Sequence, residues 1–164
     1  MTVSKHGRLI IVCGLPGSGK TTLARSLEGR LGAVRLSPDD WMDALGINLH
    51  DEGSRARVEE LQWSLGQRLL ALGHAVIIEW GTWARAERDA LRIGARALGA
   101  AVELRYTSAA PDVLIQRIRA RARETPPIAE HAIHQWFNAF QVPNDEEFSL
   151  YDSPFDATPD LRGT

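Results

Sequence analysis

The stretch Leu9–Leu27, LIIVCGLPGSGKTTLARSL, constrains the chain more than any other: five apolar residues, three glycines within six positions, then a segment of helical composition. Within it Gly14–Thr21 fits G-x-x-x-x-G-K-[ST] in full, between a strand-like run, Leu9–Cys13, and a helix-like run, Thr21–Leu31, with Gly32 just past its end. A strand that turns through glycines into a helix can aim consecutive backbone N–H groups at one point, where the helix dipole also concentrates positive charge. The pattern therefore predicts a nucleoside triphosphate at the bend, held by Gly14, Leu15, Pro16, Gly17, Ser18, Gly19, Lys20, Thr21 and Thr22. Lys20 is placed to reach the β- and γ-phosphates and Thr21 to ligate Mg²⁺. Cys13 reads as a small buried strand residue.

Downstream, the pattern alternates. Ala33–Leu36 reads as a short strand, followed by SPDDW, where Pro38 marks a loop. Asp51–Leu72 carries Val58, Leu61, Leu65, Leu69 and Leu72 at helical spacing, which predicts one buried face. Ala75–Ile78 and Val102–Tyr106 read as strands, and Arg85–Leu98, Pro111–Arg123 and Ile128–Phe140 as helices. Strands alternating with helices imply an α/β fold, with a central parallel sheet covered on both faces and ligands beyond the carboxyl ends of the strands. The segments there are GLPGSGKT, SPDDW, EWGTW and TSAAP.

The 164 residues suit one domain. A net charge of −2 and a pI near 6.2 lack the cationic excess of sequence-independent nucleic-acid binding. A single cysteine gives no sign of an oxidising compartment, no apolar run approaches the roughly 18 residues of a membrane span, and the start MTVSKHG lacks a signal-peptide core. These features set a cytoplasmic expectation.

The motif leaves water and a substrate hydroxyl open as phosphoryl acceptors. Asp39 and Asp40 follow the second strand, and one of the two is expected to face the site, accepting the proton of an attacking hydroxyl, while the other caps the following short helix. Glu79 ends the third strand, where it could hold Mg²⁺ through a water or contact substrate. Arg117 and Arg121 share one helix face, suited to the transferring phosphoryl group; Arg119 and Arg123 share another and read as solvated. Trp41, Trp80 and Trp83 follow strand ends on the expected acceptor rim, whereas Trp63 and Trp136 read as core. Together with Asp40 and Glu79, the three rim tryptophans are the expected substrate contacts. His50, His131 and His134 lack ligand spacing and receive no role, and Asp145-Glu146-Glu147 reads as a solvated face.

At these stations, from about Arg8 to Glu147 and including Phe140–Glu147, the chain resembles the P-loop small kinases grouped around polynucleotide 5′-hydroxyl kinases, zeta-type toxin kinases, chloramphenicol phosphotransferase and gluconate kinase. It is most similar to the bacterial predicted-kinase branch of that group. The resemblance implies a nucleoside-monophosphate-kinase-like P-loop NTPase fold, with one kinase domain over residues 1–152, an arginine-bearing lid at about 117–128 and a flexible tail at 153–164. It implies ATP and Mg²⁺ as cofactors, Asp39 as general base, and Lys20, Arg117 and Arg121 as catalytic cations. Two positions depart from the polynucleotide kinases: Met42 stands where they carry an arginine three residues after the aspartate, and Glu79-Trp80-Gly81 where they tend to carry Asp-x-Asn. The expected activity is transfer of the γ-phosphate to a hydroxyl of a small ring-containing molecule by a monomer or small homo-oligomer away from the membrane. A polynucleotide 5′-kinase is the disfavoured alternative, and a nucleotide-dependent switch is the alternative from another class.

Overall fold

Leu9–Cys13 have no solvent exposure, and alternate residues point into two different cores. Leu9, Ile11 and Cys13 face one cluster and Ile10 and Val12 the other, the two-sided burial of a central parallel strand. The computed structural model describes residues 6–121 and 126–156. Its elements run β1 (Arg8–Cys13), α1 (Lys20–Leu31), β2 (Val34–Leu36), α2 (Pro38–Ala44), α3 (Glu52–Ala71), β3 (Ala75–Ile78), α4 (Arg85–Ala97), β4 (Ala101–Tyr106), α5 (Pro111–Arg121), α6 (Glu130–Ala139) and α7 (Asp145–Phe148). All strand pairs are parallel, in the order β2-β3-β1-β4, with Ile10 opposite both Ile77 and Glu103.

Helix α1 covers one sheet face through Ala24 and Leu27, and α3 to α6 cover the other through Leu70, Leu91, Ala95, Leu114, Ile118 and Ile133. The chain leaves β1 toward β2, returns to β3 between them, and crosses to β4 on the far side. The strand order therefore reverses at β1, the position where open α/β sheets place their ligands.

Three local expectations are corrected. Pro38 does not mark a loop: it is the first residue of α2, where its missing N–H costs no hydrogen bond, and Ser37 caps the helix by accepting from Asp40 N at 3.4 Å. On α3 the buried residues are Val58, Gln62, Gly66 and Leu70, while Leu61 and Leu72 are 63% and 73% exposed. The close approach at Gly66 explains this, since a Cβ there would lie 3.3 Å from Leu36 Cδ1. A helix seated that near the sheet buries Gly66 and Gln62 alongside Val58 and Leu70 and leaves Leu61 outward.

The third correction concerns the acidic run. Asn144 caps α7 by accepting from Glu147 N at 2.9 Å, and Glu147 is 2% exposed, inside the protein. Its carboxylate is paired with the fully buried Arg88.

The segment expected to be a loose tail starts anchored. Phe155 N donates to Glu103 at 3.0 Å, and Asp156 accepts from Arg30 at 2.9 Å and Arg105 at 2.6 Å. Residues 157–164 lie outside the described residues, as does Arg123. Among the described residues no helix is long and apolar enough to cross a membrane.

Candidate active site

The bend after β1 is built by backbone geometry that side chains would block. Gly14 has φ 151°, and a Cβ on it would meet Thr107 O at 2.4 Å and Ser18 Oγ at 2.6 Å. Gly19, left-handed at φ 102°, is the N-cap of α1, and no side chain caps the first turn, while within the loop Ser18 N donates to Leu15 O at 3.1 Å. Ser18 Oγ and Thr107 Oγ1 lie 2.8 Å apart, which ties the loop to the end of β4. Lys20 Nζ donates to Leu15 O at 3.0 Å, folding its ammonium back over the loop. Desolvation there, only partly offset by Glu79 and Asp39, pushes the Lys20 pKa down to about 8. Cys13 is pushed the other way, to about 12, chiefly by burial, which leaves an inert thiol.

Around this loop opens a cleft of about 1790 Å³. Its phosphate end is lined by Pro16–Thr22 with Arg117 and Arg121 from α5, and Arg117 Nη1 donates to Gly17 O at 2.9 Å. Arg119 stays outside, paired with Glu130 at 2.8 Å on the surface. The other walls come from Asp39, from Glu52, Arg55, Glu59 and Trp63 on α3, from Glu79–Trp83, and from Glu87, Leu91 and Trp136.

The Thr21 hydroxyl donates to Glu79 Oε1, so both expected magnesium contacts meet at the loop. The other Glu79 oxygen accepts from Arg35 Nη1 at 2.8 Å. Arg35 also donates to Asp40 at 2.6 Å and to Glu28 at 3.3 Å, bracing α2 against the strand ends. Asp40 is thereby drawn out of the cleft, while Asp39 lines it and accepts from Arg55 Nη2 at 2.6 Å. Adjacent residues in the first turn of α2 thus point to different partners.

The aromatic expectations divide differently. Trp80 and Trp83 line the cleft, and Trp80 Nε1 donates to Gln62 Oε1 at 2.9 Å. Trp41 is not among the lining residues; it packs, partly buried, against the main core. Trp63 and Trp136 pack partly buried against the same core, as expected, and also stand in the cleft wall, with Trp136 edge to face against Trp83 at 5.8 Å. His50 reaches Pro126 O at 3.1 Å across the cleft mouth, whereas His131 and His134 are exposed.

Sequence reading missed Arg55, Glu59 and Arg88. The first two carried a signal: Glu52, Arg55, Glu59 and Trp63 recur at helical spacing, a second stripe beside the leucines. Arg88, 0% exposed, donates to Thr82 O at 2.8 Å, Trp83 O at 3.2 Å, Gln141 O at 2.8 Å and both Glu147 oxygens at 2.6 and 2.9 Å. It holds the Thr82–Trp83 turn from behind. No local pattern announces it.

The model of a family described as AAA domain matches residues 9–143. The chain belongs to this family. It is a P-loop kinase-like domain. An uncharacterized protein of Mycobacterium tuberculosis is 38% identical over 130 residues, covering 70% of this chain and 26% of that protein. A gluconokinase of Arabidopsis thaliana is 32% identical over 93 residues, covering 52% of this chain and 49% of that enzyme. The chain thus spans between a quarter and a half of these relatives. Among solved structures, a chain of the Pnkp1/Rnl/Hen1 RNA repair complex superposes with a TM-score of 0.67 at 20% identity, over 92% of this chain and 48% of that one. That likeness is one of fold.

Proposed function

We propose that the protein is an ATP-dependent phosphotransferase whose acceptor is a hydroxyl of a small ring-containing molecule. The observation that carries this reading is Asp39, held in the cleft wall by Arg55 in the same chamber as Lys20, Thr21, Arg117 and Arg121. The acceptor oxygen attacks the γ-phosphorus, the bond from that phosphorus to the β,γ-bridging oxygen breaks, ADP leaves, and the hydroxyl proton passes to the Asp39 carboxylate. Lys20 and the loop amides hold the β- and γ-phosphates, and Arg117 and Arg121 face the transferring group across the loop.

Among the described residues no group of three or more His, Cys, Asp or Glu could hold a metal ion. The Thr21 hydroxyl beside the Glu79 carboxylate fits Mg²⁺ of the kind held chiefly by nucleotide phosphates and waters, which would neutralise charge on the phosphate oxygens. Glu79, engaged by Arg35, suits a contact through water.

The gluconokinase relative supports a sugar-like acceptor. Incubation of the purified protein with ATP, Mg²⁺ and a panel of sugars, nucleosides, antibiotics and a 5′-hydroxyl oligonucleotide is expected to yield a phosphorylated small molecule, read by phosphorus NMR. Phosphate on the oligonucleotide alone would replace this reading with that of a polynucleotide kinase. Tight ATP binding with transfer to no acceptor would favour a switch.

Lys20 adds a pH prediction. Its pKa of about 8 in the free protein rises when phosphates surround it, so above pH 8 ATP binding takes up a proton and affinity falls as pH increases. The slope approaches about one decade in Kd per pH unit, and below about pH 7 it vanishes because Lys20 is charged in both states. Calorimetry at pH 9 in buffers of different ionisation heat reads the uptake, and Lys20→Arg should abolish it.

A further inference from the structure

Charge is unevenly placed along the cleft lining. The glycine loop and α5 bring Lys20, Arg117 and Arg121, with Glu79 beside Thr21, whereas α3 and α4 bring Glu52, Glu59 and Glu87, with Arg55 already bound to Asp39. Glu87 spends one oxygen on Ala84 N at 2.9 Å. Glu59 makes no hydrogen bond or ion pair among the described residues. It is only partly exposed, with Arg55 on the preceding turn of α3 and Trp63 on the following one. Burial raises its pKa; Arg55 opposes the shift, and the like charges of Glu87 and Asp39 add to it. A carboxylate so placed has no ion-pair partner of its own, since the nearby Arg55 is bound to Asp39.

A second observation on the same wall points to a bound molecule. Thr82, 6% exposed and lining the cleft between Trp80 and Trp83, has a hydroxyl with no hydrogen-bond partner. Its φ of 42° is a conformation that β-branched residues rarely adopt, and Arg88 clamps its carbonyl there. A buried hydroxyl orphaned in a strained turn of the cleft wall lacks a partner that a bound ring hydroxyl could supply. Four indoles, of Trp63, Trp80, Trp83 and Trp136, line the surrounding wall, and indole faces attract cations and sugar-type rings alike.

We infer that the acceptor is a ring-bearing polyol carrying a protonated amine, of the amino-sugar or aminocyclitol class, whose ammonium pairs with Glu59 among the indoles while one hydroxyl faces Asp39. The inference rests on the phosphotransferase reading and narrows it. A neutral polyol would leave Glu59 uncompensated, and an anionic acceptor would meet like charge from Glu52, Glu59 and Glu87. Thr82 supplies the polar contact to a ring hydroxyl, and the phosphoryl transfer itself is the one already balanced above.

Matched pairs test it: glucosamine against glucose, and 2-deoxystreptamine against its di-N-acetyl derivative, each with ATP and Mg²⁺. The amine member of at least one pair is expected to be phosphorylated with kcat/KM roughly 10- to 100-fold above its neutral partner. Glu59→Gln should erase that preference by raising KM for the amine, with ATP affinity within about twofold of the parent because the cationic end is untouched. Quenching of tryptophan fluorescence by the amine, without nucleotide, gives an independent binding readout that the same variant should weaken. Equal or better use of the neutral members, or of other neutral compounds in the wider panel, overturns the inference and leaves the phosphotransferase standing. Transfer to no acceptor at all overturns both.

Discussion

Asp39→Asn is expected to lower kcat for phosphotransfer by roughly 100- to 10,000-fold, the range lost when a positioned general base is removed. The amide keeps an oxygen that can accept from Arg55, which now binds the Asp39 carboxylate at 2.6 Å, so the side chain stays in place and only its proton affinity is lost. KM for ATP should therefore change little, and the thermal midpoint should stay near that of the parent. Asp40→Asn is the internal control. Asp40 is bound to Arg35 at 2.6 Å and lies outside the cleft lining, so its loss loosens a surface brace and should leave kcat within about tenfold. Steady-state kinetics of the two variants, with whichever acceptor the panel identifies, separate the roles. An Asp39→Asn enzyme at full kcat would remove the base from the mechanism.

The largest expected effect on stability comes from Arg88→Met. The shorter, uncharged side chain strands Glu147, 2% exposed, without a cation and frees the backbone carbonyls of Thr82 and Gln141, while Trp83 O keeps the Gln141 N–H. Breaking one side of a buried pair costs about 3–5 kcal/mol. For a domain of this size that lowers the midpoint by roughly 6–20 °C, at about 2–4 °C per kcal/mol. Replacing both partners, Arg88→Met with Glu147→Leu, should recover part of the loss, since the isolated charge disappears. Thermal unfolding of the single and double variants measures the coupling. A single variant within about 1 kcal/mol of the parent would mean that Glu147 finds water or another donor.

What could be read from the sequence follows physical locality. The phosphate loop was legible because its glycines specify backbone angles directly, as Gly14 and Gly19 illustrate. The strands were legible because burial on both faces demands unbroken apolar runs such as Leu9–Cys13. The buried face of α3 was legible only at Val58 and in part at Leu69, because hydrophobic periodicity assumes that a helix rests on all its leucines. Here Gly66 admits the sheet and Gln62 is buried as the acceptor for Trp80.

The tryptophans were legible only in part. A position just after a strand does not fix where a large ring points: Trp80 and Trp83 line the cleft as expected but Trp41 packs on the core away from it, while Trp63 and Trp136 pack on that core and also reach the cleft from helices. Glu147 looked solvated because its partner lies 59 residues away, and no local rule pairs acids with arginines at that range. Asp39 and Asp40 could be separated only once Arg35 and Arg55 were in place to claim one each.

The Arg88 clamp also bears on the order in which the molecule can assemble. The nucleotide half closes through contacts made by residue 107, whereas the Thr82–Trp83 turn is secured only when Gln141 and Glu147 arrive, 53 and 59 residues beyond Arg88. During synthesis the triphosphate site can therefore form while the opposite wall is still slack. A chain cut short near residue 130 and released from the ribosome would be expected to hold ATP and to have no competent place for an acceptor.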